Sequence, residues 1–261
     1  MNENNRDRKV ILETQNLTKY FGKLAALNGI NLSIREKEIT SLIGPNGSGK
    51  TTFYNVTTGR FRPSSGRIFF RGKDVAGLPP HKILKLGIAR SFQITNIFAD
   101  LTVFQNIRSA VIAQSVTRMI FFKHVDSFAN VREKSLNILK LLSLEENRDA
   151  PCSKLSYGDI RKVEIGIALA SQPDLFFLDE PTAGMTPEET KKMVDLIRDL
   201  SEQTETTFFI TEHDMNVVFS ISDRIIVLSR GQVLADGTPE EIRTNSKVKE
   251  AYLGGLTDAK R

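Results

Sequence analysis

The sequence lacks most features that would tie a chain to disulfides or to a membrane. It has one cysteine, Cys152, among 261 residues, so no disulfide can form within the chain and a cysteine-based metal site is not indicated. No apolar run approaches the roughly 18 residues that a membrane-spanning helix needs. The first ten residues, MNENNRDRKV, are polar and contain no hydrophobic signal-peptide segment. We therefore expect a cytoplasmic protein.

Long runs of one charge are also absent. The 36 Lys and Arg exceed the 31 Asp and Glu by only five, and the basic residues are spread along the chain. A basic stripe for nucleic acid is not indicated, so we predict no nucleic-acid partner. The hydrophobic content of 40% and charged content of 26% are typical of a soluble globular protein, and the length allows a substantial core.

Hydrophobic periodicity divides the chain into strand-rich and helix-rich segments. Residues 10–34 alternate between apolar and polar, which predicts the strands of a half-exposed sheet, whereas apolar residues at three- and four-residue steps predict helices over 101–143. Apolar strands are predicted at 174–178, 206–210 and 224–228, with a helix at about 187–201. Apolar strands separated by helices indicate a parallel sheet covered on both faces.

The stretch GPNGSGKTT, residues 44–52, is unusually rich in glycine. A predicted strand at 38–43 precedes it and a predicted helix over 51–58 follows it. Glycines let successive backbone N–H groups converge on an anion, and the positive end of the helix adds to the attraction. In such a phosphate loop Lys50 reaches the β- and γ-phosphates and the Thr51 hydroxyl ligates Mg²⁺. The alternative is a glycine turn beside a solvated lysine.

Acidic and histidine side chains follow two of the predicted parallel strands. Asp179 and Glu180 end LFFLDE, and His213 lies in TEHD. Ligands of open α/β sheets bind at the carboxyl ends of strands. We expect Asp179 to hold Mg²⁺, Glu180 to orient or deprotonate the attacking water, and His213 to contact the γ-phosphate. The alternatives are a strand ending in two exposed acids and a histidine that merely neighbours a helix cap.

The segment Leu155-Ser156-Tyr157-Gly158-Asp159 opens another predicted helix. Ser156 and Gly158 at a helix start provide either a second anion site or an ordinary N-cap. The residues themselves leave both interpretations open.

The order of these motifs resembles that of the nucleotide-binding subunit of an ABC transporter. GPNGSGKT is similar to the Walker A loop, RSFQ to the Q-loop that ends at Gln93, LSYGD to the signature motif, LFFLDE to Walker B and TEHD to the switch histidine. The resemblance extends over residues 10–253. It implies an α/β P-loop NTPase cassette, with a mainly parallel core sheet, an antiparallel N-terminal β-subdomain and an inserted α-helical subdomain. It also implies one domain over 1–261, with 1–93 and 172–261 as the core and 94–171 as the helical subdomain.

The resemblance assigns further residues to ATP and Mg²⁺. It implies contacts to ATP from the loop residues Asn46, Gly47, Ser48, Gly49, Lys50, Thr51 and Thr52. Phe21 takes the position of the aromatic that stacks on adenine, with Tyr20 as the weaker candidate and a core aromatic at a strand end as the alternative. The resemblance further implies that Gln93 senses Mg²⁺ or water. By the same resemblance Ser156, Tyr157 and Gly158 would act on ATP held by the opposite protomer, which implies an ATP-dependent homo- or heterodimer of cassettes.

Several longer segments resemble the ATP-binding proteins of branched-chain amino-acid importers, including IGPNGSGKTTFYNVTTGRFRPSSGRI, DRIIVLSRGQVLADGTPEEI and VKEAYLGG. This implies an ATPase subunit on the inner face of the cell membrane that powers separate permease subunits. The alternatives are ATPases for urea or lipopolysaccharide transport, and a soluble ABC ATPase such as those of iron–sulfur cluster assembly.

Asp159 and Thr186 depart from the usual residues of the family. The patch Met119-Ile120-Phe121-Phe122 is either a permease contact or a helix core.

Overall fold

The computed structural model describes residues 8–91, 97–115 and 126–254, which form two sheets and a set of packed helices. The strands are β1 Val10–Phe21, β2 Leu24–Arg35, β3 Ile39–Ile43, β4 Ser65–Phe70, β5 Lys73–Asp74, β6 Ile88–Arg90, β7 Leu175–Asp179, β8 Thr207–Thr211, β9 Arg224–Ser229 and β10 Gln232–Gly237. The helices are α1 Lys50–Thr57, α2 Pro80–Lys85, α3 Val103–Ser115, α4 Asp126–Leu141, α5 Tyr157–Leu169, α6 Pro187–Gln203, α7 Met215–Ile221, α8 Pro239–Thr244 and α9 Ser246–Gly254.

The smaller sheet is antiparallel, in the order β2-β1-β4-β5. Strands β1 and β2 form a long hairpin that closes where Phe21 pairs with Leu24. Inward-facing residues such as Leu12 and Ile30 are fully buried, whereas residues between them reach solvent. This matches the half-exposed sheet that the alternation over 10–34 predicts, and it places Phe21 at a sheet corner.

The larger sheet has the order β10-β9-β3-β8-β7-β6 and is parallel except for the β10–β9 pair. Every residue of β3, β7 and β8 is buried, as expected for strands covered on both faces. The predicted parallel strands agree with the observed bounds to within one residue. In register, Leu42 and Asp179 both pair with Thr211, so the carboxyl ends of β3, β7 and β8 lie side by side.

Helices α3, α4 and α5 pack against one another, with Ile107, Leu139 and Leu142 fully buried among them. Gly166 permits this packing: a Cβ there would lie 2.5 Å from Leu142 Cδ1 and 2.6 Å from Ile107 Cδ1. The helices predicted over 101–143 are therefore present, while the patch at residues 119–122 lies outside the described residues. The boundaries proposed for a helical subdomain stay a prediction.

An aromatic layer joins α1 to the parallel sheet. The rings of Phe177 and Phe209 have centroids 5.0 Å apart, and Tyr54 of α1 meets Phe177 edge-on at 5.7 Å. Tyr54 also donates a hydrogen bond of 2.6 Å to the backbone carbonyl of Ser91. Since α1 follows the glycine loop directly, this layer fixes the loop relative to the strand ends. Across the residues that the structure describes, we find no helix both long and apolar enough to cross a bilayer.

Removal of the Phe177 ring tests the importance of this layer. We expect Phe177→Ala to lower the free energy of unfolding by about 3–5 kcal/mol, because it leaves a cavity in a fully buried site. The measurement is urea denaturation followed by circular dichroism. The matched control is Phe98→Ala, which truncates a ring that is 63% exposed and should change stability by roughly 0.5 kcal/mol or less. Equal losses for the two variants would contradict the proposed role of the layer.

Candidate functional site

The glycine loop lies between the buried strand β3 and α1, as the sequence predicts. Gly44, Gly47 and Gly49 all have positive φ angles. At Gly44 and Gly49 the close approach of neighbouring backbone also requires glycine. A Cβ at Gly44 would lie 2.2 Å from the carbonyl oxygen of Leu228, and one at Gly49 would lie 2.6 Å from that of Ala26. Larger residues would push the loop away from β2 and β9. The loop can therefore pack this tightly only with glycine at both positions.

Lys50 is the first residue of α1, and only 7% of its surface is exposed. Its ammonium group donates hydrogen bonds to the carbonyl oxygens of Gly44 at 2.6 Å and Pro45 at 3.2 Å. Burial lowers the pKa of Lys50, and the nearby carboxylates of Glu180 and Asp179 oppose this effect. The side chain is thus folded against the loop, within electrostatic reach of both Walker B acids.

An open pocket of about 500 Å³ borders the loop. Phe21 and His213 both line it, together with Asn46, Gly47, Ser48, Gly49, Lys50, Thr51 and Thr52. Phe21 is 44% exposed, which excludes the alternative of a core aromatic. Its ring packs edge-on against Phe61 at 5.5 Å, while Tyr20 is not among the lining residues.

The pocket also includes residues that sequence reasoning missed, namely Leu24, Ala25, Ala26 and Arg230. The first three begin β2, across the hairpin turn from Phe21, and Arg230 lies in the turn between β9 and β10. No local motif marks them, because the two sheets bring them to the loop only after folding. The close contact between Gly49 and Ala26 is the structural reason for their presence.

Asp179 ends β7 and is 7% exposed. Its carboxylate accepts a short hydrogen bond from the Thr211 hydroxyl, and its backbone N–H donates to Ser91 Oγ at 3.0 Å. Burial raises the pKa of Asp179, against the lowering effect of the Thr211 bond. A carboxylate of this kind and the Thr51 hydroxyl are oxygen donors suited to Mg²⁺. The described residues contain no group of three or more His, Cys, Asp or Glu side chains that could hold a metal by themselves.

Glu180 and His213 meet at the ends of β7 and β8. His213 Nε2 lies 2.8 Å from Glu180 Oε1, and both side chains remain partly exposed, at 47% and 37%. His213 also precedes a helix cap, since Asp214 caps α7 by accepting from Asn216 N at 2.8 Å. The cap and the contact with Glu180 therefore coexist, and the histidine is available at the edge of the pocket.

The signature segment lies elsewhere. Ser156 is the N-cap of α5 and accepts a hydrogen bond from Asp159 N at 3.1 Å, as its N-cap interpretation predicts. Tyr157 is 45% exposed. Ser156, Tyr157 and Gly158 are absent from the residues that line the pocket around the loop, within the part of the chain that is described. Gln93 falls outside the described residues.

The two residues that depart from the family pattern have local partners. Asp159 forms an ion pair of 3.0 Å with Lys162, one turn further along α5. Thr186 caps α6 in a reciprocal capping box: its hydroxyl accepts from Glu189 N, and the Glu189 carboxylate accepts from Thr186 N. A threonine therefore serves as a good N-cap at this position.

Comparison with known proteins agrees with this arrangement. Residues 27–183 match the family model described as ABC transporter, and residues 232–256 match that of the branched-chain amino acid ATP-binding cassette transporter. The high-affinity branched-chain amino acid transport ATP-binding protein LivG of Escherichia coli (strain K12) is 41% identical over 249 residues. That match covers 94% of this chain and 98% of LivG.

Solved structures give the same result for the fold. The ADP conformation of MJ1267, an ATP-binding cassette of an ABC transporter, superposes with a TM-score of 0.83 at 32% identity, covering 94% of this chain and 99% of that one. The dimeric structure of MJ0796, a bacterial ABC transporter cassette, has a TM-score of 0.72 at 28% identity, covering 87% and 98%. The predicted fold class is thereby confirmed.

Motif order, loop geometry, fold and similarity along almost the whole chain thus agree with one another. The chain belongs to the ABC transporter family, as an ATP-binding and ATP-hydrolysing subunit of the branched-chain amino acid type.

Proposed function

We propose that this ATPase, with Mg²⁺ bound, powers the import of branched-chain amino acids through separate permease subunits. The observation that carries the catalytic part is the 2.8 Å contact between His213 Nε2 and Glu180 Oε1. His213 lines the pocket beside the phosphate loop, and Glu180 joins it from outside the residues that line this pocket. The transport part is supported by the similarity to LivG, a branched-chain amino acid transport ATP-binding protein.

In the proposed site the phosphate loop holds the triphosphate of ATP. Backbone N–H groups of residues 46–52 and the N-terminus of α1 attract the phosphate oxygens. The Lys50 ammonium, which now donates to Gly44 and Pro45, would donate to the β- and γ-phosphates instead. The exposed ring of Phe21, which also lines the pocket, would stack on adenine.

Thr51 and Asp179 would hold Mg²⁺, with Gln93 as the third candidate. Thr51 is exposed in the first turn of α1, and Asp179 presents a buried carboxylate at the end of β7. Burial raises the pKa of Asp179 and thereby disfavours its ionised form. A cation bound nearby would favour the ionised form again. Once bound, the metal would neutralise charge that develops on the phosphate oxygens.

Glu180 and His213 would act on the attacking water. Glu180 would accept its proton or orient it, while His213 would contact the γ-phosphate. Phosphoryl transfer has a loose transition state, so the protein contributes chiefly position and charge. The 2.8 Å contact between Glu180 and His213 supports this role, because it gives the two side chains a defined relative position.

The signature residues would complete the site of a second cassette. Ser156, Tyr157 and Gly158 do not line the pocket that holds the phosphate loop of their own chain, within the described part. The exposed Tyr157 ring leaves this segment open to a partner. The dimeric structure of the MJ0796 cassette supports dimerisation, and in such a dimer each chain would contribute half of two sites.

A largely apolar groove of about 340 Å³ would receive the permease at the inner face of the membrane. Leu84 of α2, Ala110 of α3 and Ala168 of α5 line it. Glu164 also lines the groove, and its Oε1 atom is buried without a hydrogen-bond partner among the described residues. Ser91 also lines the groove and accepts the hydrogen bond from Asp179 N, which links the groove to the metal site.

Isothermal titration calorimetry tests the phosphate site. We expect Lys50→Met to weaken binding of ATP with Mg²⁺ on the order of 10- to 100-fold, because it removes charge-assisted hydrogen bonds to phosphate. Lys23→Met removes one charge close to Phe21 but outside the pocket lining, and it should retain near wild-type affinity. Equal affinity of the two variants would argue against the role of Lys50.

The role of Glu180 is tested by Glu180→Gln. The variant should keep ATP affinity, lose ATP hydrolysis on the order of 100-fold or more, and accumulate as a dimer with ATP, because binding persists without the acid–base group. Turnover assays and size-exclusion chromatography with light scattering measure the two effects. The exposed Glu188→Gln is the control and should behave as wild type. Undiminished turnover in Glu180→Gln would refute the assignment.

The permease contact is tested with two leucines of similar exposure. Leu84 is 39% exposed and lines the groove, whereas Leu86 is 37% exposed and does not line it. Leu84→Arg should abolish co-purification with the co-expressed permease from detergent-solubilised membranes, because it places a charge in an apolar interface. Leu86→Arg should retain it. Capture of the permease by both variants would place the contact elsewhere.

A further inference from the structure

A buried carboxylate connects the two loops that carry the proposed catalytic pair. Glu212 lies between Thr211, the last residue of β8, and His213, and it is only 4% exposed. Its Oε1 accepts hydrogen bonds from Thr182 N at 3.0 Å and from Thr182 Oγ1 at 2.6 Å. Its Oε2 accepts from His213 N at 3.0 Å.

These three donors are neutral. None of the ion pairs found among the described residues includes Glu212, so the carboxylate is stabilised by hydrogen bonds alone. A buried carboxylate without a full set of donors is costly, and therefore the two loops must keep these donors in place. The side chain consequently acts as a tie between the loop after β7 and the loop after β8.

The loop after β7 needs such a tie because its backbone is strained. Glu180 has φ of +47°, in the left-handed region that residues with a side chain adopt rarely. This conformation persists only where surrounding contacts enforce it. Glu180 N donates to Thr211 O at 2.9 Å, and Ala183 N donates to Glu180 O at 3.2 Å. The hydrogen bonds from Thr182 to Glu212 hold Thr182, which lies in the chain between Glu180 and Ala183.

We infer that Glu212 is a positioning residue for hydrolysis, which sets the placement of Glu180 relative to His213 without touching ATP. The inference rests on the proposed function of that pair. One end of the Glu212 carboxylate holds the backbone two residues after Glu180, and the other holds the backbone of His213 itself. Loss of the tie would let the 2.8 Å contact between the two catalytic side chains open.

Steady-state kinetics test this inference with graded variants. Glu212→Ala should lower kcat on the order of 10- to 100-fold, because a displacement of about 1 Å is enough to impair positioned catalysis. The KM for ATP should stay within about 2-fold of wild type, since no contact to phosphate or base is removed. The kcat of Glu212→Gln should fall between those of the wild type and Glu212→Ala. Its amide oxygen can still accept hydrogen bonds from Thr182, but its NH₂ group would oppose the N–H of His213.

Thr182→Val checks that the tie acts through Thr182. It removes only the hydroxyl donor, so its loss of kcat should be smaller than that of Glu212→Ala. The double variant should lose no more than Glu212→Ala alone, because both changes break the same contact. Glu38→Gln is the control for loss of a buried carboxylate elsewhere: Glu38 is fully buried beside Arg224, away from the pocket, and kcat should be unchanged.

Nuclear magnetic resonance of ¹⁵N-labelled histidine gives a readout that does not depend on hydrolysis. The chain has three histidines, so the His213 imidazole signals can be assigned by substitution. They should move in folded Glu212→Ala and in Glu180→Gln, and they should stay in place in Glu38→Gln. Three results for Glu212→Ala would each overturn the inference: an unmoved His213 signal, an unchanged kcat, or a rise in KM by as large a factor as the fall in kcat. A wild-type chain without ATPase activity would instead contradict the proposed function, while the signal shift would still decide whether the tie exists.

Discussion

The parallel pairing of β8 with β3 on one side and β7 on the other is the constraint on which the candidate site depends. Thr211 pairs with both Leu42 and Asp179, so three strands end at the same level. The phosphate loop, the Walker B acids and His213 follow those ends directly. A slip of one residue in either pairing would turn the strand-end side chains to the opposite face and separate them.

Two kinds of packing hold this arrangement. Above the sheet, the rings of Tyr54, Phe177 and Phe209 seat α1, and with it the phosphate loop. At the loop itself, Gly44 and Gly49 let the backbone approach β9 and β2 at distances that no Cβ would allow. The loop is therefore positioned by the hydrophobic core below it and by backbone contact beside it, before any ligand binds.

The charged groups of the site are held in an unfavourable environment. Burial lowers the pKa of Lys50 and raises that of Asp179, so each loses part of its hydration. A polyphosphate and a divalent cation would supply the opposite charges at the same place. Ligand binding would then restore interactions that folding has removed, which gives the site a physical reason to favour a metal–nucleotide complex.

How much of this could be predicted from the sequence depends on the range of each interaction. The strands, the glycine loop, the acids after β7 and the histidine after β8 follow from local periodicity and from short motifs. The N-cap role of Ser156 is equally local. The order of the motifs was enough to indicate the family, because several short motifs in a fixed order are more specific together than any one of them alone.

Other features were decided by the tertiary structure. Ala26 and Arg230 reach the pocket only because the antiparallel hairpin and the β9–β10 turn pack beside the loop. The buried tie at Glu212 and the left-handed backbone of Glu180 depend on two loops separated by about thirty residues of chain, a contact that no local pattern encodes. The sequence by itself determined which chemical groups this protein carries and in what order, since that information is covalent and local. Their distances, burial and partners were decided only by strand register and core packing, because these are properties of the folded chain as a whole.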